Sequence, residues 1–369
     1  MWYQLLLCLF IMLLLWKVKN DKIRTQCILP LGFILITLFF ALRYDYGNDY
    51  WHYYERWNSG RLVEGDNRGT GETFFYGFMQ LFDKYYKFVI AHTLLFCSIM
   101  FYLVRRYVVP KYYALFFFMF MSMSTLSYNM MSAMRSTMAA CVLWLALDFF
   151  YIRKKMWVPY FSMVIIAGSF HTSALAFSIL PLVDWGLRVL KPKPLFTLLV
   201  IGMIINVVYA KQMYAFVLSF SDTMSETYGG YLEEEKTGGA SFFGMLNKSI
   251  MLFPYYFICM GKKFFEQKNK MNIWILAMFM IVLICSGLDL DGRFSIVLYI
   301  FVIIALSEIL PYLKQDYKKI CLVPLIISII YNHIYLMYKM QLLYYYTDLN
   351  NYDGCFLYYK TIFEANYLP

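Results

Sequence analysis

Four residues of this sequence combine charge or basicity with an apolar setting, and together they suit an anion. Arg43 opens Arg43-Tyr44-Asp45-Tyr46-Gly47-Asn48-Asp49-Tyr50. Arg135 lies in Ser132-Ala133-Met134-Arg135-Ser136-Thr137, and His171 in Phe170-His171-Thr172-Ser173-Ala174. Arg293 lies in Asp289-Leu290-Asp291-Gly292-Arg293-Phe294. A guanidinium is a planar fork that grips phosphate through two parallel hydrogen bonds, and it keeps its charge inside a protein. A histidine can accept a proton near neutral pH. Asp45, Asp49 and Tyr53 recur at intervals of four, so a helix here would put them on one face. An acid so placed could act as a base, orient the histidine or accept a hydrogen bond from a sugar hydroxyl. Tyr44, Tyr46, Tyr50, Trp51, Tyr53, Tyr54 and Trp57 crowd the same stretch. Aromatic faces pack against sugar rings, although aromatic belts at membrane interfaces are their more ordinary use.

The elements that position these groups are membrane helices. The 369 residues are 61% hydrophobic and 15% charged, where a soluble chain carries about 25% charge. That leaves too little polar surface to cover a water-soluble globule. The apolar residues come in runs near 20 residues, the length a helix needs to cross the hydrocarbon core. Barrel strands would show short alternating segments instead. The expected spans are 2–16, 26–42, 87–104, 112–128, 134–151, 157–170, 172–187, 195–210, 244–260, 271–288, 294–310 and 320–338. This is an all-α polytopic chain of about 12 transmembrane or re-entrant helices in one domain, 1–369. Met1 to Trp16 has no basic leading region and no small-residue cleavage site, so it reads as a retained first helix.

Charge sets the orientation. Lys17, Lys19, Lys22 and Arg24 fill the first connection, and Arg105, Arg106 and Lys111 the third. Arg153 to Lys155, Arg188 to Lys193, Lys262 to Lys270, and Lys314 to Lys319 follow in alternate connections. These hold well over half of the 33 basic residues, and the positive-inside rule makes them cytoplasmic. Both termini then lie outside, with long loops at about 43–86 and 211–243 and a tail at about 339–369. Arg43, Arg135, His171 and Arg293 all fall at extracytoplasmic ends of spans. A lipid-borne diphosphate is the natural anion at that depth.

Met156 to Leu190 is too long for one crossing and tight for two. Both flanks are basic, so it must go out and return, as two short helices or a re-entrant hairpin. Half of it reaches about 25 Å, short of a core of about 30 Å. His171, at its midpoint, is then recessed and faces a wet cavity rather than lipid.

Plainer readings stand beside these. Arg43 and Arg293 can snorkel as anchors. Arg135 is flanked by small residues typical of tight helix packing, so it faces protein. A lone histidine between helices is often structural. Asp289 and Asp291 can pair with Arg293, and Glu72 can cap the stretch Thr73–Lys84. Glu233 to Glu235 reads as a solvated loop and the Tyr-rich tail as an interfacial segment. The eight cysteines include no CxxC pair, so no disulfide framework and no metal site is expected. Nor is nucleic acid expected as a partner, because the net charge of +10 sits in the short cytoplasmic clusters.

The ordered set resembles the EpsG family, which is grouped with the Wzy-like polymerases of O-antigen, capsule and exopolysaccharide pathways. The resemblance is carried by Arg43, Asp49-Tyr50, Glu72-Thr73-Phe74-Phe75, Met134-Arg135-Ser136, Phe170-His171-Thr172-Ser173-Ala174 and Gly292-Arg293-Phe294. It covers nearly the whole chain. It implies a polymerase that transfers a growing glycan from undecaprenyl diphosphate to a sugar hydroxyl of the next lipid-linked unit. The reaction would take place on the outer face of the bacterial inner (cytoplasmic) membrane, without a cofactor. It also implies a GT-C-like fold, and makes a chain-length regulator protein a candidate partner. Arg43, Arg135 and Arg293 would hold the diphosphate. His171 or Asp49 would accept the proton, with the division of labour between Asp45 and Asp49 left open. Tyr50, Tyr53, Glu72 and Asp291 would contact substrate.

Two other classes compete. A flippase of the same lipid-linked sugars would need charges along a path to both faces and pseudo-symmetric halves, and neither stands out. A glycan ligase would use much the same groups. An acyltransferase would need a polar cluster at the inner ends of the spans to receive its donor, and the sequence displays none.

Overall fold

The computed structural model describes residues 2–44, 49–59, 73–122, 126–127, 129–218, 252–267, 270–286, 291–346 and 360–361. Helices dominate them, as a bilayer demands of a backbone that must satisfy its own polar groups. Among the described residues, four helices are long and apolar enough to cross a membrane: Asp21–Ala41, Tyr85–Tyr107, Met134–Arg153 and Phe294–Tyr312. A fifth span results if Thr172–Val189 and Pro192–Ile205, bent by 120°, count as one. Shorter apolar helices lie at Tyr3–Lys17, Trp157–Phe170 and Met271–Cys285. The protein is an all-α membrane protein.

The chain forms two compact units, one of Met1–Ile179 with Ile329–Pro369 and one of Leu180–Ser328. The first unit begins with α1 (Trp2–Lys17) and α2 (Asp21–Ala41), which contains a π-helical segment, Arg24–Ile28. Two short helices, α3 (Tyr50–Ser59) and α4 (Thr73–Gln80), follow. Then come α5 (Tyr85–Tyr107), α6 (Tyr113–Ser122), α7 (Met134–Arg153) and α8 (Trp157–Phe170). Helix α1 packs on α6, α2 on α5, α5 on α7, and α7 on α8. Gly32 makes room in this packing, since a Cβ there would come within 2.7 Å of the Phe117 ring.

The expected extracytoplasmic loop 43–86 contains folded structure. Tyr50, Tyr53, Phe75 and Met79 are buried and pack with Tyr85, Phe88, Val89, Met134 and Met138. Periodicity explains this, because Tyr50, Tyr53 and Arg56 face inward at helical spacing while Trp51, His52 and Glu55 face out.

The stretch from Met156 runs as α8 and doubles back as a 3-10 helix, Thr172–Ile179, which packs on α8 and α7. The Tyr160 hydroxyl donates to the Phe177 carbonyl at 3.0 Å and ties the two legs together. Gly168 permits the close approach, since a Cβ there would meet the Leu175 side chain at 2.5 Å.

At the other end of α7 the structure reveals a polar cluster that the sequence reading passed over. Asp148 is fully buried. Tyr102 donates to it at 2.7 Å, Tyr107 also donates to it, and Arg153 reaches it at 2.9 Å. Arg106 lies 3.5 Å away. Removing one partner of a buried ion pair strands the others in low dielectric. Asp148→Ala should therefore cost roughly 3–5 kcal/mol, read as a lower unfolding temperature in detergent. Asp148→Asn, which keeps acceptor capacity, should lose less. An unchanged transition in the alanine variant would show that the cluster does not stabilise the unit.

The second unit holds α9 (Leu180–Val189), α10 (Pro192–Leu218), α11 (252–260) and α12 (Lys262–Gln267). It also holds α13 (Met271–Ser286) and α14 (Asp291–Ile309). The last helix, α15 (Gln315–Tyr346), begins here. Helices α13 and α14 pack together, with α9 and α10 on α13. Lys262 is buried and donates to the carbonyls of Leu187, Arg188 and Leu190, at 2.7–3.1 Å, so it satisfies the open end of α9.

Candidate active site

Arg43 follows the end of α2 and is fully buried. It donates to the Phe40 carbonyl at 2.7 Å and to Thr93 Oγ1 at 3.2 Å, and it lies 4.0 Å from Met134 Sδ. Arg43–Tyr44 also pairs in antiparallel register with Lys360–Thr361, so a piece of the C-terminal tail returns to this point. Beside Thr93, His92 is fully buried, its Nε2 2.7 Å from Thr137 Oγ1. Helix α5 thus presents two adjacent polar groups. One fixes Arg43, and the other fixes α7 two residues beyond Arg135.

Arg135 stands in the first turn of α7, half-buried. A cation there meets the positive end of the helix macrodipole, so the position favours negative charge around it. Asp49 supplies some. It immediately precedes α3, and its carbonyl accepts from Tyr53 N–H at 3.1 Å. Burial pushes its carboxyl up from the ordinary range, and the Arg135 charge partly opposes the rise. Tyr53 is hydrogen-bonded to Arg135, and burial pushes its phenol up to about 12, so it stays neutral. Tyr85 donates to the Tyr50 carbonyl at 3.1 Å and Trp57 Nε1 to the Phe82 carbonyl at 3.1 Å, which seats α3 against the start of α5.

The structure therefore gathers Arg43, Asp49, Tyr50, Tyr53 and Arg135 around the starts of α3, α5 and α7. His171 is half-buried and extended just after α8 (φ −159°, ψ 122°). Its neighbour Phe170 packs against Phe74 at 5.9 Å and against the aromatic cluster of Tyr50 and Tyr53, which leaves His171 one residue from that cluster. Arg293 and Asp291 occupy the first turn of α14 in the second unit, and their side chains lie outside the described residues. Asp45 and Glu72 also lie outside them. The helix begins at Tyr50, so Asp49 stands just ahead of the helical face that Tyr53 occupies. Among the described residues, no three His, Cys, Asp or Glu side chains gather where a metal ion could be held.

Three contributors escaped the sequence reading. Arg56 is buried, bonded to the Tyr76 hydroxyl and stacked over its ring at 5.7 Å. Its signal was present, because positions 49, 53 and 56 follow one helical face. His92 and Thr93 sit in the middle of an apolar run, where a polar pair was itself the anomaly. Thr93→Val removes one hydrogen bond from a buried charge and should cost about 1–3 kcal/mol. Thermal unfolding of the purified variant measures this, and an unshifted transition would mean that Arg43 is held without Thr93.

A model of the EpsG family matches residues 26–359. No curated protein and no solved structure matches the chain. The family match spans most of the sequence and takes in every residue of the site. The chain belongs to the EpsG family, a family of Wzy-like polysaccharide polymerases.

Proposed function

We propose that the protein joins oligosaccharide repeat units, each carried on undecaprenyl diphosphate, at the extracytoplasmic face of the bacterial inner membrane. The observation that carries this reading is the seating of Arg135, in the first turn of a long helix, against Asp49 and Tyr53. A helix N-terminus and a guanidinium together favour an anion, and an acid beside them can take a proton.

In this reading the acceptor hydroxyl attacks the anomeric carbon of the growing chain. Asp49 takes the hydroxyl proton, the new glycosidic bond forms, and the bond to the lipid diphosphate breaks. The diphosphate leaves carrying the electron pair, and Arg135 stabilises its growing charge. Arg43, held beneath by Thr93, adds positive potential without touching the phosphates. His171 is the second candidate base. Tyr50 and Tyr53, packed in the aromatic cluster, position Asp49 and Arg135, and Asp45 and Glu72 are further candidate substrate contacts. About 12 spans and a GT-C-like fold belong to this reading, and a chain-length regulator protein is a candidate partner.

The test is a deletion strain and a reconstitution. Long glycan chains should vanish while single lipid-linked units persist on the outer leaflet. The purified protein in proteoliposomes should build a ladder from such units. Unchanged chain length in a strain with no second polymerase would overturn the proposal. Single units trapped on the inner leaflet would identify a flippase instead.

A further inference from the structure

The second unit carries an apolar cavity of about 450 Å³, lined by Phe196, Leu252, Phe253, Tyr256, Phe257, Tyr317 and Ile320. Its walls come from the start of α10, residues 252–257 of α11 and the start of α15. Ring contacts hold these ends together, Phe196 on Tyr256 at 5.2 Å and Phe257 on Tyr317 at 5.9 Å. The α10 and α15 ends also carry lysine. Lys193 precedes Phe196 by one turn, Lys263 lies just past α11, and Lys314 and Lys318 bracket Tyr317. Lys193, Lys263 and Lys314 are exposed and Lys318 is half-buried. Glu266 and Asp316 are the acids of this rim, and they are outnumbered.

An apolar cavity of this volume suits a chain-like ligand. Lysines beside the α10 and α15 ends of its lining suit a negative headgroup, and basic pockets between membrane helices bind anionic lipid heads. Two of the three ends are helix N-termini, where the lysines oppose the macrodipole and an anion relieves both. The chemistry matched by both halves is that of an anionic phospholipid. We propose that this cavity seats one acyl chain of an anionic phospholipid such as phosphatidylglycerol, with the headgroup on Lys193, Lys314 and Lys318. The site is independent of the polymerase reading, because none of its residues is given a part in that chemistry.

Native mass spectrometry of the full chain in detergent tests it, with phosphatidylglycerol and phosphatidylcholine of identical acyl chains added together. Phosphatidylglycerol should be retained preferentially. Lys193→Gln and Lys318→Gln should each weaken that preference about fivefold. Ile320→Trp, at an exposed position, should fill the cavity and abolish retention while elution in size exclusion stays unchanged. Equal retention of both lipids would overturn the proposal. So would phosphatidylglycerol binding undisturbed by Ile320→Trp, which would reduce the effect to surface charge. Displacement by undecaprenyl phosphate would assign the cavity to an isoprenoid and overturn it as well.

Discussion

Asp49→Asn is expected to lower the rate of chain extension by about 10²–10⁴-fold, the usual contribution of a positioned proton acceptor. Asparagine keeps the size and the backbone acceptor that begins α3, so the loss should appear in kcat and not in the yield of folded protein. The pH profile sharpens the test. Burial raises the Asp49 carboxyl above its usual range. A base works only when deprotonated, so wild-type activity should fall as pH drops through this raised value. The variant's residual activity should lack that limb. His171→Ala provides the comparison. If it removes the limb and Asp49→Asn leaves it, the base is His171 and the assignment to Asp49 is wrong.

Arg135→Gln should cost a further large factor, about 10²–10³ in kcat, as expected for a group that meets charge developing at the leaving diphosphate. It should also move the limb assigned to Asp49. The Arg135 charge lowers the Asp49 carboxyl and works against burial. Without it the carboxyl rises further, and the limb moves to higher pH. Arg135→Lys restores the charge but not the fork. It should return the limb close to its original position while recovering only part of the rate. A limb that stays put in Arg135→Gln would uncouple the two residues.

Much of this was legible in the sequence, for physical reasons. A bilayer penalises charge so strongly that Arg43, Arg135 and His171 announced themselves by location alone. The small residues around Arg135 foretold a side chain turned toward protein, and Ala139 and Ala140 are indeed buried beside it. Less legible was the cap over the site. The stretch after Arg43 has the mixed polarity of a loop, and only the spacing of Tyr50, Tyr53 and Arg56 distinguishes it from one. Asp148 stayed hidden for a different reason. Its partners Tyr102, Tyr107 and Arg153 are remote in sequence or shared with a basic cluster, and long-range pairing leaves no local pattern. The depth at which Arg43 is buried was equally invisible, because an arginine at a span end reads the same whether it snorkels outward or is locked under Thr93.

The short strand pair at Arg43 bears on how the protein comes into being. Arg43–Tyr44 emerges from the ribosome about 300 residues before its partner Lys360–Thr361. The first unit is likewise discontinuous, opened before the second unit and finished after it. At roughly 5–20 residues per second, the nascent edge beside Arg43 waits a matter of tens of seconds for its mate. A polypeptide stalled or cleaved upstream of Lys360 would therefore be inserted in the membrane with that edge open.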